Sequence, residues 1–190
     1  MNIKRLILAS NSPRRRQLMQ EAGFIFEVIA SNADETIEGE CADCVESLAK
    51  KKARAVRQQI DYLATIIAAD TLVFINGRIL EKPRSHTEAF EMLSLLQGQK
   101  HTVFTGVAID HEGSVTSFVE STDVYFRKLS PAQINAYIAT NEPFDKAGGY
   151  GIQGPGATLV RRIEGCFYSV MGLPMARLVD VLASLGNDAL

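Results

Sequence analysis

The stretch from Thr65 to Ile75 is almost wholly apolar or β-branched, and it runs directly into Asn76-Gly77, after which Arg78-Ile79-Leu80 follows. Asn-Gly between two such runs is the strongest short-range hairpin signal, because the tight turn needs left-handed backbone at both central residues. Two antiparallel strands are predicted, Thr65–Ile75 and Arg78–Leu80. A chain holding that hairpin cannot be a purely parallel array of strand-helix-strand units.

Around the hairpin, strand and helix patterns alternate. Leu6–Ala9 reads as a short buried strand, and Ser12-Pro13 supplies an N-cap and first-turn proline for a helix running to Gly23. Phe24–Ala30 reads as a second strand. Val45, Leu48, Ala49, Ala53, Val56 and Ile60 follow the helical period over about 42–60. Thr87–Leu96 is a helix closed by Gly98; Lys100–Asp110 and Ser114–Arg127 are strands meeting at Glu112-Gly113. Ser130-Pro131 opens a helix to about Thr140, and a glycine-rich loop, a strand over Ala157–Ile163 and a helix over Pro174–Leu185 complete the pattern. The fold class is α/β, a mixed β-sheet flanked by helices, in a single domain over residues 1–190.

Composition narrows the partners. Lys plus Arg number 20 and Asp plus Glu 22, a net charge of −2, so no global field holds a polyanion and nucleic acid is not an expected partner. No apolar run nears the roughly 18 residues of a membrane span, and the stretch after Met1 is too short for a signal-peptide core. A cytoplasmic location is expected, and three cysteines (Cys41, Cys44, Cys166) suit a reducing compartment. Cys41-Ala-Asp-Cys44 has redox or zinc spacing, but no second pair and no nearby histidine supports it. His86, His101 and His111 read as structural.

Charge breaks the apolar pattern in four places, and such local conflicts tend to mark function. In Ser10-Asn-Ser12-Pro13-Arg14-Arg15, a strand end meets a helix start, where free N–H groups favour an anion and two guanidiniums can clamp a phosphate. The alternative is a capped helix with surface arginines. Lys52 falls in register with Val45, Leu48, Ala49 and Val56, so it either snorkels past the core or points at an anion. Asp70-Thr71 interrupts the long apolar strand. With the Asn76-Gly77 turn, Ile75 faces Arg78 and Leu72 faces Glu81, which makes Asp70 and Glu81 diagonal neighbours suited to a shared divalent cation. The alternative is a strand-edge salt bridge with Lys82. Finally, five glycines lie between 148 and 156, after Asp145-Lys146 and around Gln153, whose amide suits the edge of a base. Cations, carboxylates and a glycine loop together point to metal-assisted chemistry on phosphate esters or anhydrides.

Those segments resemble the Maf family of nucleoside triphosphate pyrophosphatases. The matching motifs are Leu8-Ala-Ser-Asn-Ser-Pro-Arg-Arg15, Lys52-Ala53, Ala69-Asp-Thr71, Leu80-Glu-Lys-Pro83, Leu96-Gln-Gly98, His101-Thr-Val103, Thr105-Gly106, Glu142-Pro143, Asp145-Lys-Ala-Gly148, Tyr150-Gly-Ile-Gln-Gly154 and Gly172-Leu-Pro174. The resemblance implies hydrolysis between the α- and β-phosphates with a divalent cation, Mg²⁺ or Mn²⁺, as cofactor. It also implies an elongated two-lobed Maf/ITPase-like body with a central cleft, assembled as a homodimer. Asp70 matches the family's proton acceptor, and Arg14, Thr71 and Gln153 match positions tied to base specificity. The Glu-Lys-Pro and Tyr-Gly-Ile-Gln-Gly forms resemble the branch acting on dTTP and UTP. On this basis Asp70, Lys52 and Lys82 are the expected catalytic residues. Ser10, Arg14, Arg15, Thr71, Lys146 and Gln153 are expected to bind substrate, and Asp70, Glu81 and Asp34 to hold the metal. The competing readings are a 7-methyl-GTP pyrophosphatase and a non-catalytic, nucleotide-sensing inhibitor of septum formation.

Overall fold

The computed structural model describes residues 5–34, 36 and 41–187. Its elements are β1 (Leu6–Leu8), α1 (Pro13–Glu21), β2 (Glu27–Val28), α2 (Cys41–Arg57), β3 (Thr65–Ile75), β4 (Arg78–Leu80), α3 (His86–Leu96), β5 (Lys100–His111), β6 (Ser114–Phe126), α4 (Pro131–Ile138), β7 (Val160–Glu164), α5 (Phe167–Met171) and α6 (Met175–Ser184). Among the described residues the strands form one sheet in the order β2-β1-β3-β5-β6-β7, with β4 paired to β3. β1 runs parallel to both β2 and β3, whereas the β3–β4 and β6–β7 pairs are antiparallel, so the sheet is mixed. No helix among the described residues is long and apolar enough to cross a membrane.

The hairpin register is the one the turn demands: Ile75 faces Arg78, with Asn76 at φ 50° and Gly77 at φ 78°. The ladder ends at Val73 opposite Leu80, so the expected pairing of Leu72 with Glu81 does not form. The Glu81 carbonyl instead accepts the Gly148 N–H at 3.0 Å. The segment 24–30 also departs from its expected strand. Only Glu27 and Val28 pair, because β1 offers just three residues, and Ile25 stands 94% exposed.

The chain divides into two compact units. Unit 1 comprises residues 1–70, 105–120 and 172–190; unit 2 comprises 71–104 and 121–171. Unit 1 has a core of Ile7, Ala9, Ala49, Ala53, Val56, Ile66, Ala68 and Ala108. The α2 apolar stripe read from the sequence faces that core, and Cys41 and Cys44 are buried with it, in no disulfide. Unit 2 is centred on Val73, Leu93, Leu96, Val103, Phe126, Ile134, Tyr137, Tyr150 and Leu159. Ser85 and Ser130 cap α3 and α4, and the latter makes a full capping box with Gln133.

Candidate active site

In unit 1, β1 ends at Leu8 beside the parallel portion of β3, and the Ala9 N–H donates to the Ile67 carbonyl at 2.7 Å. Ligands of open α/β sheets sit beyond the carboxyl ends of such parallel strands. Ser10, Ser12 and the α1 N-terminus lie there. Ser12 is the N-cap, accepting the Arg15 N–H at 3.4 Å, and its own N–H donates to Ser10 Oγ at 3.2 Å. Arg15 is buried: Nε donates to the Gly172 carbonyl at 2.8 Å and Nη1 to Ser10 Oγ at 3.2 Å. Arg15 therefore faces inward rather than lying on the surface, and part of its guanidinium braces α1 against the chain at Gly172. Arg14 stands on the same first turn, half-buried.

Lys52 of α2 is 7% exposed and Asp70 of β3 is 8% exposed. Lys52 Nζ donates to Asp70 Oδ1 at 2.5 Å. Of the alternatives for Lys52, the structure selects an anion over snorkelling, and that anion is the carboxylate interrupting the strand. Burying either charge alone would be costly; each is tolerated because the other faces it.

Unit 2 carries the other expected residues. Thr71 is half-buried in β3, and Glu81 and Lys82 follow β4, both exposed. Glu81 Oε2 approaches Arg84 Nη2 at 4.0 Å. Lys146 lies between two turns of 3-10 helix, Glu142–Asp145 and Ala147–Gly149. Its Nζ donates to the Glu142 carbonyl at 2.8 Å and to Asp145 Oδ1 at 2.5 Å. Gln153 is exposed on the glycine loop.

The loop's glycines answer to packing inside the loop. A Cβ on Gly156 would meet the Gly151 carbonyl oxygen at 2.1 Å, and one on Gly151 would meet Glu142 Oε1 at 2.6 Å. The close approach expected for a ligand is, at these two positions, an approach of the chain to itself.

A family model described as Maf-like protein matches residues 5–185. The chain belongs to the Maf family. Maf-family relatives include the dTTP/UTP pyrophosphatase of Bacillus cereus (strain ATCC 10987 / NRS 248), 47% identical over 190 residues, with 98% of this chain and 93% of that one covered. The dTTP/UTP pyrophosphatase of Caldicellulosiruptor bescii is 48% identical over 195 residues, covering 98% and 97%. That of Halalkalibacterium halodurans is 48% identical over 182 residues, covering 95% of each chain.

The Maf-family expectation of a divalent cation can be set against the donors present. Among the described residues no group of three or more His, Cys, Asp or Glu side chains is placed to hold a metal ion. Each expected ligand has a nearer partner: Asp70 has Lys52, and Glu81 has Arg84. Asp34 is exposed and accepts the Thr36 hydroxyl at 2.7 Å and the Thr36 N–H at 3.0 Å, which hold its carboxyl below the usual carboxylate range. These carboxylates do not constitute a ready-made metal cage.

Two features of the Maf loop carried no signal in the sequence beyond their motifs. Glu142 Oε2 accepts the Gly156 N–H at 3.1 Å and Tyr137 Oη accepts the Gly151 N–H at 3.0 Å. Beneath them, buried Tyr150 places its hydroxyl 2.7 Å from His101 Nε2, with both rings edge-on to Phe126. Burial pushes the His101 imidazolium down to about 4 and pushes the Tyr150 and Tyr137 phenols up. The sequence reading of His101 as structural agrees with this packing.

Proposed function

We propose that this protein hydrolyses nucleoside triphosphates, with dTTP and UTP as substrates, at the α–β phosphoanhydride, releasing the nucleoside monophosphate and pyrophosphate. Support comes from relatives bearing the name dTTP/UTP pyrophosphatase that match nearly end to end at 47–48% identity. The observation that carries the chemistry is the buried Lys52–Asp70 pair in unit 1, with Asp70 following in β3 after the pairing with β1 ends at Leu8 opposite Ile67.

In this reading water attacks the α-phosphorus and Asp70 accepts its proton. Lys52 and Lys82 are the other catalytic groups, offsetting charge that builds on the phosphates as pyrophosphate departs. Ser10, Arg14, Arg15 and Lys146 bind phosphate oxygens. Thr71 and Gln153 read the pyrimidine edge, an amide being able to donate and accept at once. A divalent cation, Mg²⁺ or Mn²⁺, would be held mainly by the substrate's own phosphates and would offset their charge. Asp70, Glu81 and Asp34 are the carboxylates that would complete its shell, each giving up part of its present partnership to do so. The protein acts in the cytoplasm, in keeping with three cysteines that form no disulfide, and as a homodimer.

Pyrophosphate release by the purified protein with Mg²⁺ or Mn²⁺ tests the proposal, comparing dTTP, UTP, CTP, GTP and 7-methyl-GTP. Selective turnover of dTTP and UTP is expected. Equal rates on dTTP and 7-methyl-GTP would defeat the assignment to the pyrimidine branch. Turnover of none would point to nucleotide binding without catalysis.

A further inference from the structure

Gln153 is exposed, yet the chain on either side of it is pinned. Before it, the Gly151 N–H donates to Tyr137 Oη at 3.0 Å, a buried bond reaching from the loop to α4. After it, the Gly156 N–H donates to Glu142 Oε2 at 3.1 Å. The Glu142 carboxylate also lies 3.9 Å from Lys146 Nζ, which in turn bonds the Glu142 carbonyl. Neither tethered residue tolerates a side chain: Gly151 lies against Glu142 Oε1 and Gly156 against the Gly151 carbonyl. The loop is thus closed on itself by two acceptors that fix Gly151 and Gly156, and the freedom left between them belongs to Ile152 through Pro155. The start of the loop is anchored as well, by the Tyr150–His101 bond among aromatic rings.

A side chain that selects a base by hydrogen bonding discriminates only as sharply as its backbone is held, because about an ångström of misplacement forfeits a directional bond. We propose that Tyr137 and Glu142 are positioning residues that set pyrimidine selectivity by holding Gly151 and Gly156, and hence Gln153, from beneath. This inference rests on the functional reading above and goes beyond it, since neither residue is expected to touch substrate.

Tyr137→Phe removes one acceptor and keeps the ring; Glu142→Ala removes the other. Glu142→Gln retains an oxygen that can accept from Gly156 while removing the charge. Steady-state kinetics of each variant with dTTP, UTP and CTP form the test. Tyr137→Phe and Glu142→Ala are expected to raise KM for dTTP and UTP about tenfold, to change kcat less than about threefold, and to erode the preference for UTP over CTP by about the same tenfold. Glu142→Gln is expected to keep that preference. Amide hydrogen exchange supplies a readout independent of turnover: Gly151 should exchange faster in Tyr137→Phe, and Gly156 faster in Glu142→Ala. A uniform loss on all three nucleotides with unchanged preference, or unchanged exchange at both glycines, overturns the inference. A wild-type protein that hydrolyses no triphosphate overturns the functional reading and this inference with it. A selective wild type whose variants stay equally selective overturns the inference alone.

Discussion

The two units place charge in opposite ways. In unit 1 three of the charges expected at the site project from regular elements, Arg15 from α1, Lys52 from α2 and Asp70 from β3, each at or below 9% exposure. In unit 2 the expected site residues Lys146 and Gln153 sit on turns, Lys146 bonded to the Glu142 carbonyl and to Asp145 and Gln153 exposed. Groups that must hold one geometry during bond breaking gain from helices and strands, whose backbone is fixed by its own ladder. A group that reads a ligand's edge can stand on a loop, provided something else ties that loop down.

The largest effect that would break this contrast lies in unit 1. Asp70→Asn is expected to cut pyrophosphate release by about 10² to 10⁴, the usual contribution of a general base. Lys52→Met leaves a buried carboxylate unpaired and should cost about 3–5 kcal/mol of stability by urea unfolding. The double variant Lys52→Met/Asp70→Leu should recover most of that stability and none of the activity. Recovery of activity would show that the pair is structural only.

Unit 2 has its own buried titratable group. His101, with its pKa moved from 6.5 to about 4 by burial, is neutral when folded, while the unfolded chain takes up a proton below about pH 6.5. Stability is then undiminished above pH 6.5 and is lost as the pH falls, the loss reaching about 3 kcal/mol near pH 4. Urea midpoints between pH 7.5 and 4 check this, and His101→Gln should flatten the part of the profile due to this residue.

A sharper pair of probes uses one added methyl in each unit. Gly106→Ala drives a Cβ to 2.4 Å from the Val45 backbone of α2, a contact no rotamer relieves. About 1–3 kcal/mol of global destabilisation is expected from such overpacking. Gly156→Ala meets the Gly151 carbonyl oxygen at 2.1 Å, a clash confined to the loop rather than set against a helix of the core. It should cost less in thermal melting than Gly106→Ala and more in KM; the reverse order would erase the distinction between the units. The smallest expected change is Glu81→Gln. The side chain is 56% exposed and 4.0 Å from Arg84, so stability should stay within about 0.5 kcal/mol of wild type.

Much of this was legible in the sequence where the signal is local. Asn76-Gly77 set the hairpin because its backbone conformation is a property of two adjacent residues. Lys52 could be read as inward-facing because the helical period is carried by its neighbours. The partner across the interior was not legible as such: nothing local joins Lys52 to Asp70, 18 positions away. For the same reason Asp70 and Glu81 were expected to share a cation, when the strand that would have opposed them stops at Leu80. The strand at Phe24–Ala30 shrank to two residues because pairing needs a partner of matching length, a property of β1. α5 went unread because Phe167–Met171 has no cap signal of its own. Its start is held by Thr122 Oγ1, which accepts the Cys166 N–H at 2.9 Å from another strand. The Glu142 and Tyr137 tethers each span 14 positions to a glycine amide, and a backbone donor leaves no trace in composition.

The Arg15 bond to the Gly172 carbonyl joins positions 157 apart. Unit 2 needs only two stretches of chain and can close once residue 171 has left the ribosome, whereas unit 1 waits for a third stretch that begins at Gly172. The loop-closure entropy of so distant a contact is met last, after the nearer pairings have formed. During synthesis unit 2 is therefore complete before the unit that holds Asp70. A nascent chain stalled short of Gly172 would carry Arg15 without the carbonyl that braces it.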